Sequence, residues 1–295
     1  MSARTAALVS VLSFACSQAA TPVAPQTPNA PPAASSAPAD AAVAPPAPPR
    51  ERLELRSYFE RERITGGLAL LDTASGEISC SDVERCQASY LPASTFKIAN
   101  TIIALETGIV EDAETVLPWD GAPRELEEWN AKLTLREAIR TSCVPCYQDI
   151  ARKIGQARMN DWLVKLDYGN HDATGGIDAF WLGGGLRITP LEQLAFLRRL
   201  AEGKLPISER TREIVLDLIT LDVGPEHQLL GKTGLVTQER GGRELGWFVG
   251  YVELGARRVY FATTVDSHAA DVDLIPVRRR VTEAALTGIG ALPAK

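Results

Sequence analysis

The sequence predicts an α+β fold: one antiparallel sheet, built from both ends of a single domain, flanked by helices and carrying an inserted helical lobe. Three observations point there. Strand patterns occur at residues 66–72 and 77–80 and return only at 229–236, 245–253 and 257–265, so both ends supply sheet. Between them, segments with helical start and stop signals follow one another. The chain has 295 residues, 45% of them hydrophobic and 23% charged, which is enough to bury a sizeable core.

The elements follow in order. Residues 5–16 are a short apolar stretch behind Arg4 with small residues after it, so residues 1–19 read as a secretory signal cleaved after Ala19. Cys16 offers a second ending as a lipidated N-terminus, although Ser13 stands where leucine is usual. Residues 20–50 carry ten of the chain's nineteen prolines and much alanine. Such a segment cannot offset its ordering entropy and reads as a disordered, semi-rigid spacer. The folded domain spans 51–295, with a net charge of −7. Residues 66–72 and 77–80 form a hairpin around Thr73-Ala-Ser-Gly76. A helix covers 94–107 and stops at Gly108. Thr134-Leu-Arg-Glu137 is a capping box that opens another. Pro145 fits the first turn of the next helix, which ends at Gly155. Helices follow at 156–166, ended by Tyr168-Gly-Asn170, then from the capping box Thr189-Pro-Leu-Glu192 to Gly203, then at 209–220. The last strands meet through Leu254-Gly-Ala256, and a final helix covers 276–287.

Composition excludes several classes. A net charge of −6 argues against a nucleic-acid binder. No apolar run is long enough to span a membrane. Three histidines (His171, His227, His268) and no HExxH pattern argue against a metal site. Of five cysteines, Cys16 leaves with the signal or carries lipid. Cys80 and Cys86 flank a short polar loop, and an oxidising compartment would allow a bridge between them. Cys143-Val-Pro-Cys146 has CxxC spacing without a thioredoxin-like βαβ unit, and a bridge and two buried thiols stay equally open there.

Ser94-Thr-Phe-Lys97 puts a hydroxyl and an amine on one helix face. Serine needs a base to become a nucleophile, and lysine is a base only when burial keeps it neutral. Alone, this pattern more often marks a capping serine and a solvated lysine. Lys232-Thr-Gly234 lies in a strand pattern and suits an anionic ligand, although alone it fits an exposed edge lysine. Ser142-Cys-Val144 lies between the two, at a helix end. The three in this order are far more specific than any one, and the order recurs in serine β-lactamases and penicillin-binding proteins.

The domain resembles the class D, or oxacillinase-type, serine β-lactamases. The resemblance rests on Tyr90-Leu-Pro-Ala-Ser-Thr-Phe-Lys-Ile-Ala-Asn100, Ser142-Cys-Val144, Tyr168-Gly-Asn170, Phe180-Trp-Leu182 and Lys232-Thr-Gly234, and covers roughly 52–287. It implies the serine β-lactamase/penicillin-binding-protein fold and an exported, periplasmic enzyme, lipid-anchored if Cys16 is modified, that hydrolyses penicillin-type antibiotics and confers resistance. It implies Ser94 as nucleophile and Lys97 as an N6-carboxylysine base that needs CO2 or bicarbonate but no other cofactor and no metal. Val144 and Trp181 would form the carbamate pocket; without the resemblance, Trp181 reads as a core aromatic. Ser142 would relay a proton, tuned by Lys232. The backbone N–H groups of Ser94 and Leu235 would form the oxyanion hole, with Gly234 leaving room for the ligand. Thr233 and Arg278 would hold the substrate carboxylate. The Tyr168-Gly-Asn170 turn would shape the cleft wall. Substrate range would depend on loops at 118–128 and 224–227. Alternatives are a β-lactam-sensing or penicillin-binding domain that acylates without turnover, a D,D-peptidase, and a tethered non-enzymatic binding protein. The oligomeric state is left open.

Overall fold

The structure, a computed structural model, describes residues 48–239, 243–266 and 272–294. The signal with Cys16 and the spacer up to residue 47 lie outside the described residues, as does His268. The first part of the domain runs β1 (Arg50–Glu51), α1 (Arg56–Arg61), β2 (Thr65–Asp72), β3 (Ile78–Cys80), α2 (Val83–Gln87) and α3 (Lys97–Glu106). The middle holds β4 (Val116–Leu117), β5 (Leu133–Thr134), α4 (Leu135–Arg140), α5 (Val144–Ile154), α6 (Gln156–Leu166), α7 (Pro190–Ala201) and α8 (Glu209–Leu218). The last part is β6 (Thr220–Val223), β7 (Gln228–Glu239), β8 (Arg243–Leu254), β9 (Arg257–Asp266) and α9 (Leu274–Gly288).

Seven strands form one sheet in the order β1-β3-β2-β9-β8-β7-β6. The two ends of the domain meet at β2 and β9, from Thr65 opposite Asp266 to Asp72 opposite Val259. Pairing is antiparallel except between β1 and β3, where Arg50 lies beside Ser79. Arg50, counted with the spacer by composition, is therefore already part of the sheet.

Period-two alternation gives the central strands two buried faces. On β9, Val259, Phe261 and Val265 face one core with Val277, Val281 and Ala285 of α9. Tyr260 and Ala262 face the other core with Ile98, Ile102 and Leu197 of α3 and α7. The helical lobe covers the second face, and α9 and α1 cover the first.

Local signals act where expected. Thr134 and Thr189 both cap their helices in reciprocal capping boxes, and Pro145 sits in the first turn of α5. The first long helix starts as a 3-10 turn at Ala93–Phe96 before α3 proper. α6 stops at Asp167, φ 47°, one residue before the Tyr-Gly-Asn turn; the short polar aspartate tolerates the left-handed conformation that ends a helix. The bridge suggested for Cys80 and Cys86 is absent. Both are buried free thiols, and a side-chain hydrogen bond with Cys80, together with burial, pushes the Cys86 thiol up. A bond forms through a thiolate, and this environment opposes one. The disulfide present joins Cys143 and Cys146.

Candidate active site

The site begins at a strained turn. Tyr90 pairs with Ile188 through two backbone hydrogen bonds, and Ala93 donates its N–H to the Trp181 carbonyl at 3.0 Å. Ala93 has φ 46°, a conformation costing an L-residue roughly 1 kcal/mol. Such strain beside a candidate nucleophile is typical of functional turns. Ser94 follows at once, in the 3-10 turn, and Lys97 lies one turn further. Lys97 Nζ is 3.0 Å from Ser94 Oγ. Lys97 is 0% exposed, with its Nζ 5.1 Å from the centre of the Tyr147 ring. Burial holds its pKa well below the usual lysine range, and the charge of Lys232 adds to the effect.

Ser142 comes from the end of α4. It has φ 57°, where glycine is the usual helix-ending residue. Its N–H bonds to Ile139 and that of Cys143 to Ala138, closing a Schellman turn. Lys232 reaches in from β7 and donates to Ser142 Oγ at 3.1 Å and to the Thr233 carbonyl at 3.0 Å. Burial, then the charge of Arg278, lowers the Lys232 pKa to about 7. Arg278 on α9 donates to the Gly234 carbonyl at 2.5 Å, and burial brings its pKa to about 10.

β7 runs hard against the turn that carries Ser94. A Cβ on Gly234 would lie 3.1 Å from the Pro92 carbonyl and 3.3 Å from the Thr95 nitrogen, tight enough that a side chain there would need the strand or the turn to give by a few tenths of an ångström. Ser94, Ser142, Val144, Thr233, Gly234, Leu235 and Arg278 all line one cleft of about 570 Å³. Lys97 and Trp181 lie in the core, each 0% exposed. Trp181 packs on Phe96, ring centres 5.5 Å apart, and its buried indole N–H has no partner among the described residues. The structure thus gathers the sequence-derived residues from α3, the α4–α5 junction, β7 and α9.

Other residues were not expected. Trp129 lines the cleft and donates its indole N–H to the Thr141 carbonyl at 3.2 Å. Leu126, Thr237 and Ile275 complete the rim. The 118–128 loop contributes through Arg124, Glu125 and Leu126, but the 224–227 turn does not line the cleft, because it precedes β7 whereas the motif lies further along that strand. Gln193 on α7 is buried and donates to Thr95 Oγ1 at 3.0 Å and to the Tyr168 hydroxyl at 3.3 Å. A glutamine on the apolar stripe of Leu194 and Leu197 was the available signal. Asn170 bonds the backbone of Gly185 and Arg187, at 2.9 Å each. The Tyr-Gly-Asn turn thereby braces the 185–188 segment, which pairs with Tyr90 ahead of Ser94.

Residues 66–285 match the family model of the penicillin binding protein transpeptidase domain. β-Lactamase OXA-10 of Pseudomonas aeruginosa is 41% identical over 211 residues, covering 70% of this chain and 79% of that protein. β-Lactamase OXA-48 of Klebsiella pneumoniae is 38% identical over 222 residues, covering 75% and 83%. The chain belongs to the class D serine β-lactamases. Solved structures agree: the class D β-lactamase FUS-1 (OXA-85) of Fusobacterium nucleatum superposes with a TM-score of 0.78 at 34% identity, covering 82% of this chain and 100% of that one. The class D β-lactamase YbXI from Nostoc gives 0.76 at 38% identity, covering 81% and 99%. The enzyme is accordingly a serine hydrolase with the fold inferred from the sequence, and among the described residues no helix is long and apolar enough to cross a membrane.

Proposed function

We propose that this class D enzyme opens the β-lactam ring of penicillin-type antibiotics through an acyl-enzyme on Ser94, hydrolyses that ester, and so confers resistance. The observation that carries the reading is a wholly buried Lys97 Nζ 3.0 Å from the Oγ of Ser94, which lines the cleft, with burial holding the amine's pKa well below the usual lysine range. Thr233 and Arg278 bind the substrate carboxylate at the cleft wall; a guanidinium fork suits that group. Lys97 holds the serine proton as Oγ adds to the lactam carbonyl. The backbone N–H groups of Ser94 and Leu235, both on the cleft, receive the developing oxyanion. The ring C–N bond breaks, and Ser142, held by Lys232, relays the proton taken up by Lys97 to the leaving nitrogen, which leaves Lys97 neutral again. Water then attacks the ester, the Ser94 hydroxyl is restored, and the opened acid leaves.

Lys97 fits a carboxylated lysine. Only a neutral amine adds CO2, and the unpartnered Trp181 N–H is a donor in want of an acceptor. Trp181 and Val144 would hold the carbamate, which when present supplies the general base. No second cofactor is invoked. The Cys143–Cys146 disulfide supports export to an oxidising compartment such as the periplasm, in keeping with the leader. A nitrocefin time course with intact-mass spectrometry tests the reading. Many turnovers with a transient adduct on Ser94 support hydrolysis; a single equivalent consumed, with a lasting adduct, would make the protein a sensor or a penicillin-binding domain.

A further inference from the structure

The Cys143–Cys146 disulfide starts at the residue immediately after Ser142 and encloses Val144 and Pro145. No proton or acyl transfer described above uses it, yet it sits within the catalytic framework. Ser142 holds φ 57°, which serine avoids, while presenting Oγ to Lys232. Cys143 both closes the Schellman turn and caps α5, its Sγ accepting the Cys146 N–H at 3.2 Å. Val144, between the two sulfur-bearing residues, lines the cleft. The bond therefore ties the first turn of α5 to the strained turn that carries Ser142 and Val144.

Access to the two sulfurs is unequal. Cys143 is 0% exposed, whereas Cys146 is half-buried and lines a small cavity of about 110 Å³ with Trp119, Trp129 and Pro145. A thiolate arriving through that cavity meets Cys146 first. The sulfur it displaces, on Cys143, sits at a helix N-terminus, where free N–H groups favour a thiolate. Cys80 and Cys86 carry no bond to open.

We propose that the Cys143–Cys146 disulfide is a reducible positioning element: intact, it holds Ser142 and Val144 in the geometry for turnover, and a dithiol reductant opens it and slows hydrolysis without unfolding the domain. This rests on the hydrolytic reading above. In the exchange, a dithiol thiolate attacks Cys146 Sγ, the S–S bond breaks, and Cys143 leaves as a thiolate. The second dithiol thiolate then attacks the mixed disulfide and releases Cys146. The protein gains two electrons and two protons, and the dithiol is oxidised to a disulfide.

The test assays the full chain with nitrocefin, oxidised and after dithiothreitol, with thiol count, intact mass and near-ultraviolet circular dichroism read in parallel. Reduction is expected to lower kcat about tenfold, since small misplacements of a catalytic group cost this much or more. It should also raise the bicarbonate concentration that gives half the maximal rate, which a purely structural bond would not move. The dichroism should persist, and re-oxidation should restore the rate. The double variant Cys143→Ala/Cys146→Ala should start slow and ignore dithiothreitol. A reduced wild type with unchanged kcat and bicarbonate requirement overturns the proposal. So does loss of the dichroism together with activity, which makes the bond a staple of the fold. If the oxidised enzyme neither turns over nor gains acyl mass, the hydrolytic reading itself fails and takes the proposal with it.

Discussion

Lys97 and Lys232 face the same problem of holding an amine away from water, and the enzyme uses the two differently. Lys97 is wholly buried beside Ser94, and burial holds its pKa well below the usual lysine range. Replacing it with alanine should leave a lasting acyl-enzyme by mass spectrometry and lower kcat by about 10³-fold, the scale of general acid–base catalysis. Burying a lysine also costs stability. Its folded pKa is depressed, so between that value and the unfolded value the unfolded chain binds the extra proton, and wild-type stability rises with pH. Lys97→Met should therefore raise Tm at pH near 7, and the gain should shrink toward pH ~10, where the unfolded lysine loses its proton too. Thermal unfolding across that range checks the sign. Lys232 titrates at about 7 in the free enzyme. As it loses charge above that pH, its hold on the Ser142 hydroxyl weakens, so kcat/KM should fall. Lys232→Arg, charged throughout, should lose this arm of the pH profile even if its overall rate is lower. Trp181→Phe keeps an aromatic ring in the core but removes the unpartnered N–H. It should raise the bicarbonate requirement; an unaltered requirement would leave Trp181 as packing.

At the scale of elements, caps and turns set where each catalytic group emerges. The Thr134 capping box starts α4, and the Schellman turn eight residues on ends it at Ser142. Thr134→Ala should cost about 1 kcal/mol in urea unfolding, the usual worth of such a cap. Ser142→Gly makes the opposite trade. Glycine tolerates the left-handed turn, so stability should rise by up to about 1 kcal/mol, while activity falls because the proton relay is gone. Both capping boxes, the Pro145 helix start and the three long strands were legible as local chemistry acting over a few residues. The two-residue strands β1, β4 and β5 were not, because so short a segment carries no period. β6 escaped notice as a partly exposed edge strand whose register shifts between Thr220 and Asp222. α6 ends at Leu166 as read from the sequence, with Asp167 rather than glycine in the left-handed position.

Across the whole molecule, the cleft exists because β7, from one end of the domain, lies against the nucleophile turn from the other. Gly234 is the contact that allows it. Gly234→Val should push the strand away from Pro92 and Thr95 and cut kcat/KM by about 10²-fold, as expected for a displaced site, and steady-state kinetics would show it. The covering of both sheet faces follows from period-two strands and 3.6-residue helices, so the architecture could be written down from the chain alone. The candidate residues could too, because Ser94, Lys97, Ser142 and Lys232 sit in short ordered motifs whose side chains imply their chemistry. Folding alone decided the rest. Which cysteines bond depends on the setting the fold gives each pair, since Cys80 and Cys86 stay free while Cys143 and Cys146 are joined. Gln193 gains its place behind Ser94 only when α7 packs there, and the 224–227 turn misses the cleft because of where β7 carries it. The charge state of Lys97 is set by burial among residues distant in the chain. Patterns within a few residues of one another encode local conformation and chemical type, whereas proximity, desolvation and charge coupling arise only when separate segments close on each other.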